Sequence, residues 1–311
     1  MKFRCPEAWG LRQRMSEWSL VSLLIASAVG GAVGFLSGLF GVGGGFLLVP
    51  VLNAVLGVPM SIAVGSTACY TLGPATTAML ARRPQAGFIE LPLILAGGLM
   101  AGVWSGTRSL AALQTAAMIN VFGRSIPAVD LMVLSCYAVL MVVIAVMSLH
   151  DGLKAHDSTT VARRGWFSVV RLPPMAYVPD LKPGAYSIPL LAWTGLLVGF
   201  LSGFLGMSGG LILVPAAIYL LGLRVHDATT VTIVIVWLVS LQSTLMHALH
   251  ANIQLQLVCA LLVCGTIGAN LGSHFGMKLQ GRQLKVGFGL LVFVAAGIVF
   301  AKLWLLWRQS G

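Results

Sequence analysis

The chain has 311 residues, of which 58% are hydrophobic and 9% charged, with a mean hydropathy of +0.95 and a formal net charge of +11. Soluble domains carry roughly 25% charged residues, so a soluble fold is excluded and an all-α polytopic membrane protein is expected. The basic residues gather at the N-terminus, at Arg82-Arg83 and in the central loop. Charges placed that way set membrane topology, and nothing in the pattern suggests a nucleic-acid groove.

Crossing a bilayer core of about 30 Å takes about 20 apolar residues, and by that ruler the chain contains ten apolar segments. Five fall in the first part, at 19–40, 45–58, 61–81, 88–107 and 127–149. Five follow, at 187–206, 210–223, 228–249, 252–275 and 285–307. The first 18 residues are polar and basic, and the long run from Leu20 reads as a retained helix rather than a signal-peptide core. Residues 150–186 hold charges and four prolines with little apolar periodicity, which reads as a polar linker. The chain therefore divides into a first transmembrane repeat (1–149), a linker (150–186) and a second repeat (187–311).

The two repeats are homologous. Residues 34–50 read GFLSGLFGVGGGFLLVP and residues 199–215 read GFLSGFLGMSGGLILVP, at an offset of 165. Extended to Thr67 and Thr232, the register gives 15 identities in 34 positions. Each copy sets a glycine cluster inside an apolar stretch, where glycine costs helix stability. The segment after each cluster is about 14 residues long, about 21 Å at the helical rise, and contains a proline.

Two topologies follow. If all ten segments cross, each half has five spans and the halves are inverted. If the short segments are re-entrant, eight helices cross and the halves run parallel. With the N-terminus inside, eight spans put 13 of the 19 Lys and Arg on the cytoplasmic side and ten spans put 8 there. Basic residues favour the cytoplasmic side, so the expectation is about eight transmembrane helices plus two short re-entrant or broken segments, with N-terminus and central loop both cytoplasmic.

Paired interruptions in the two halves of a membrane chain point to a binding site built from broken helices. Backbone unwound in hydrocarbon must be satisfied by protein or by a water-lined cavity. The helix after each break would present unpaired N–H groups and a positive dipole end, which suits an anion. The candidate substrate-binding residues are Gly43, Gly44, Gly45, Ser66, Thr67, Ser208, Gly209, Gly210 and Thr232, whose hydroxyls can donate to an oxyanion. Ser37 and Ser202 are matched across the repeat as well. Arg108, His247 and His274 are candidates for the pore mouth or a gate. Gly102, Gly106, Gly268 and Gly272 form two G-x-x-x-G pairs, 166 residues apart, suited to close helix packing. The five cysteines include no CxxC pair and no zinc spacing, the clusters lack the lysine of a P-loop, and no catalytic constellation is visible. No metal, no cofactor and no enzymatic activity are expected.

The doubled GFLSGLFGVGGGFLLVPVL motif at 34–52 and 199–217, the stretch Ala63-Val-Gly-Ser-Thr67 and the polar linker resemble the sulfite exporter TauE/SafE family, also grouped as toluenesulfonate uptake permeases. The resemblance covers residues 20–307. It implies a secondary transporter of about eight helices in the bacterial inner membrane, moving sulfur-containing anions such as sulfite or sulfoacetate, usually outwards. Many members carry a histidine-rich turn after the third long helix, which the first half lacks. The expected partners are a small anionic substrate and the lipid bilayer, with a homo-oligomer compatible. An anion channel, or a membrane-embedded enzyme or assembly partner, are the alternatives to alternating-access export.

Overall fold

The computed structural model describes residues 20–83, 87–115, 118–121, 124–154, 172–177 and 185–309. Cys5, the basic N-terminal segment and much of the central linker lie outside the described residues. Ten helices fall within them: α1 (Leu20–Phe40), α2 (Gly45–Val55), α3 (Met60–Arg82), α4 (Gly87–Thr115), α5 (Ala128–Lys154), α6 (Ile188–Leu205), α7 (Gly210–Tyr219), α8 (Val225–Leu249), α9 (Leu255–Lys278) and α10 (Gly281–Gln309). Six of them (α1, α5, α6, α8, α9 and α10) are long and apolar enough to cross a membrane; α3 and α4 are as long. The chain is a multi-pass membrane protein. Two antiparallel hairpins, Met118–Val121 with Arg124–Pro127 and Met175–Tyr177 with Ala185–Ser187, were not evident from the apolar pattern.

Helices α2 and α7 are short because both ends are fixed locally. Each starts on a glycine in the left-handed region, Gly44 (φ 70°) and Gly209 (φ 73°). Each ends where a second glycine turns the chain: Gly57 and Gly222 take φ of 64° and 73°. There Val58 N–H reaches Leu52 O at 3.2 Å and Leu223 N–H reaches Ala217 O at 3.1 Å, so each glycine turn folds the chain back onto a carbonyl of the last helical turn. Eleven residues span about 16 Å, half the hydrocarbon thickness.

Contacts between helix ends fix the direction of every segment. The guanidinium of Arg82, at the end of α3, donates to Gly38 O near the end of α1 and to Thr229 Oγ1 near the start of α8. Ser148 Oγ, late in α5, donates to Lys285 O, early in α10. Phe40 packs on Phe288. At the other end of the bundle, Gln254 N–H, just before α9, donates to Ser66 Oγ near the start of α3. Lys302 Nζ, late in α10, donates to Asn53 O, late in α2. These two levels are the Arg82 end and the His247 end of the bundle.

Two helix pairs run parallel at backbone contact. Gly30, Gly34 and Gly38 of α1 meet Leu261, Gly265 and Ala269 of α9, while Gly195, Gly199 and Gly203 of α6 meet Leu95, Leu99 and Val103 of α4. Gly102 and Gly106 lie against the α6 backbone at Leu196 and Phe200, and Gly268 and Gly272 against α1 at Gly31 and Phe35. Small residues let backbones approach where no hydrophobic force drives helices together. Helix α1 thus packs on α9 and α6 on α4, with partners shifted by 165 or 166.

Tracing the chain, α1 runs from the His247 end to the Arg82 end, the first break returns inward, and α2 continues to the His247 end. Helices α3, α4 and α5 alternate, and α5 finishes at the Arg82 end. There α6 begins, parallel to α4. The starts of α1 and α6 therefore lie at opposite ends of the bundle. This overturns the expected parallel, eight-span arrangement, in which N-terminus and central loop share one face. That charge count compared both arrangements with the N-terminus inside only, which left out the ten-segment arrangement of opposite orientation.

Candidate substrate site

Each break is built from the residues that the duplication singled out. Helix α1 closes with Gly41 (φ 72°) donating its N–H to Ser37 O at 2.8 Å, and α6 closes with Gly206 (φ 70°) donating to Ser202 O at 2.7 Å. The third position of each break also needs the left-handed region. Gly43 supplies it in the first (φ 77°), and Ser208 adopts it in the second at φ 55°, where a side chain costs energy. Ser208 is held there by Ser240, whose Oγ lies 2.8 Å from its hydroxyl.

The next helices then start deep in the protein. In α2, the N–H groups of Leu47 and Leu48 both turn to Gly44 O; in α7, those of Ile212 and Leu213 both turn to Gly209 O. The donors ahead of them, at Gly45–Phe46 and Gly210–Leu211, have no backbone acceptor. Residues 40–50 and 203–211 are buried throughout, so these are two helix N-termini without solvent, of the kind that binds anions.

The breaks meet each other. The α-carbon of Gly210 sits on the Val42 backbone, so that an added methyl would overlap the Val42 carbonyl. A methyl on Gly45 would lie 3.0 Å from Gly206 O and 3.1 Å from Met207 Cα. The site expected as a hollow between the breaks is closed here by backbone packed on backbone.

The hydroxyls divide into committed and open ones. Ser66 accepts from Gln254 N–H and Ser208 bonds Ser240. Thr67, Thr232 and Ser202 are fully buried, and their hydroxyl oxygens have no hydrogen-bond partner. Thr232 also lines a pocket between α4, α6, α7 and α8, with Thr194, Val198, Leu213 and Ile235. A second pocket beside it is lined by Phe40, Thr229, Ser148, Tyr219 and Lys285.

The candidates for the pore mouth separate. Arg108 is exposed, stacks over Trp104 at 4.4 Å and belongs to the His247 end; His274 is exposed and belongs to the Arg82 end. They share no mouth, because α4 and α9 run in opposite directions. His247 is fully buried. Arg82, grouped in the sequence with the topology-setting charges, folds inward onto the carbonyls that end α1. The sequence hinted at this only through its alignment with His247.

Broken helices meeting at their N-termini, on a doubled G-x-G-G-G/G-x-S-G-G frame, agree with a match of the sequence model for sulfite exporter TauE/SafE to residues 27–299. The chain belongs to the TauE/SafE family. Two curated relatives, both called "Probable membrane transporter protein", come from Xylella fastidiosa strains Temecula1 and 9a5c. Each is 25% identical over 290 residues, covering 92% of this chain and 98% of the relative. No solved structure matches. This TauE/SafE member is a membrane transporter.

Proposed function

We propose that this TauE/SafE protein is a secondary permease of the bacterial inner membrane that exports a small sulfur-containing oxyanion, such as sulfite or sulfoacetate, by alternating access. The reading is carried by the head-to-head meeting of two buried helix N-termini whose first N–H groups lack backbone acceptors. A doubly charged oxyanion is the ligand that such donors and the open hydroxyls of Thr67, Thr232 and Ser202 would hold without a buried counter-charge. The closed packing of Gly210 on Val42 supports a carrier, because a conducting channel keeps a continuous path. With the cell interior negative, outward movement gains about 2.3 kcal/mol per charge per 100 mV, so export requires no ATPase.

The two repeats, 1–149 and 187–311, joined by the linker 150–186, are read as inverted five-segment halves, with the substrate held where the breaks meet and each end opening in turn. Eleven of the 19 basic residues belong to the Arg82 end or to the loops that join its helices: Arg82, Arg83, Lys154, Arg163, Arg164, Arg171, Lys182, Arg224, Lys278, Arg282 and Lys285. That bias assigns the Arg82 end to the cytoplasm and both termini to the periplasm. Potential-driven flux of radiolabelled sulfite and sulfoacetate from proteoliposomes tests the substrate class. Absence of movement of any sulfur oxyanion removes it, and flux faster than a carrier cycle would favour a channel instead.

A further inference from the structure

Residue 82 plus 165 is residue 247, and the two residues end matched helices beside matched carbonyls. Arg82 ends α3 and bonds Gly38 O at 3.1 Å, Leu39 O at 3.5 Å and Thr229 Oγ1 at 2.8 Å. It ties the carbonyl end of α1 to the start of α8, a fixed cation on the negative end of a helix dipole. His247 lies in the last turn of α8, and the Gly203 carbonyl of α6, which matches Gly38, lies beside its ring. At the same offset, the residue matched to Thr229 is Val64. The imidazole is fully buried, and neither ring nitrogen has a hydrogen-bond partner. A buried polar group left unpaired is costly, and the Gly203 carbonyl is an acceptor placed for a ring that gains a proton.

We propose that His247 is a proton-binding site that latches its end of the transporter in the way Arg82 latches the other. The proposal rests on the inverted reading of the two halves given above. Neutral, the ring makes no bond and the closure of α6 against α8 is loose. Protonated, both ring nitrogens are donors, and the ring bonds the Gly203 and Phe204 carbonyls as the guanidinium bonds those of Gly38 and Leu39. One gate thus carries a permanent charge and the other a titratable one. A sufficiently acidic compartment at the His247 end would then hold that gate shut and link anion movement to a proton.

Few other charges surround this ring. His250, one turn on, is exposed; Tyr70 of α3 is committed to Gly30 O, and Cys69 neighbours it in sequence. Arg108 of α4 is exposed and stacked on Trp104. Helix α6 has no titratable side chain, and Asn252 and Gln254 before α9 carry no charge.

The test reads gate closure and needs no substrate. In full-length protein with its five cysteines replaced by alanine, reconstituted in liposomes, single cysteines are placed at the matched positions Leu39 and Phe204. Each is labelled with a membrane-impermeant maleimide applied from its own side. The ratio of the rates, Phe204→Cys over Leu39→Cys, cancels the titration of the thiol itself. With His247 present, this ratio falls on acidification by about tenfold per pH unit below the transition, the slope of one bound proton. His247→Gln makes it flat, and His247→Arg keeps it low at every pH. In the double variant Arg82→His, His247→Gln, the ratio rises on acidification, because the titratable latch has moved to the other end. A flat ratio with His247 present overturns the proposal, as does a pH dependence that survives His247→Gln in protein whose melting temperature is unchanged. Sulfite flux is measured separately, so loss of the substrate assignment leaves this outcome readable.

Discussion

Replacing Gly210 by alanine puts a methyl group into the tighter of the two places where the breaks share backbone. The new carbon would overlap the Val42 carbonyl oxygen and lie 2.8 Å from Val42 Cα. Ordinary contact begins near 3.4 Å, so the α7 terminus and the first break must separate by at least half an ångström. No flexible side chain stands there to yield. Overpacking of this kind costs about 1–3 kcal/mol, against which alanine regains at most about 1 kcal/mol of helix propensity. Gly45→Ala is milder, because its methyl would stand 3.0–3.1 Å from Gly206 and Met207. Gly97→Ala is the control, since a methyl there meets nothing within 4 Å. The expected order of thermal stability in nanodiscs is Gly97→Ala at or above wild type, then Gly45→Ala, then Gly210→Ala. The last should fall by several degrees, given roughly 2–4 °C per kcal/mol in chains of this size class. Anion flux should follow the same order, since the binding donors are displaced with the backbone. Gly210→Ala protein that melts and transports like wild type would refute the claim that the breaks are in contact.

Cysteines placed at residues 10 and 160 should label from opposite sides of the membrane, with 160 reached only from the cytoplasm; labelling from the same side would restore the parallel eight-span arrangement. Thr232→Val removes an unpartnered buried hydroxyl at nearly constant shape, so stability should hold or rise by up to about 1 kcal/mol while the KM for sulfite increases; an unchanged KM would remove Thr232 from the site. Ser240→Ala strips the partner that holds Ser208 in its left-handed conformation and should cost about 1 kcal/mol. Ser208→Gly should come out near neutral, losing the same bond but relieving the backbone, which paired thermal melts would check. Gly34→Val and Gly199→Val should each separate a parallel helix pair and lower folded yield together, and a yield equal to wild type for either would contradict backbone contact there.

The ten helical segments and the two breaks were legible in the amino-acid sequence, because each depends on neighbours along the chain. Apolar length sets a span, glycine and proline interrupt it, and identical interruptions 165 residues apart reveal a copy. The starts of α2 at Gly45 and α7 at Gly210 coincide with the expected starts for that reason. Direction was not legible. Whether a half-helix returns to its own side or continues depends on what its far end touches, and Asn53 touching Lys302 is a contact across 249 residues.

The same limit applied to the side chains. A basic residue at a helix end reads as interfacial until the neighbouring helix is known to end at its level with free carbonyls. Only the crossing of α1, α3 and α8 turned Arg82 inward, and only the matching arrangement of α6 and α8 left His247 buried. Local chemistry wrote the elements and where they break; the packing of one half into the other decided which backbone donors and side chains face each other at the centre.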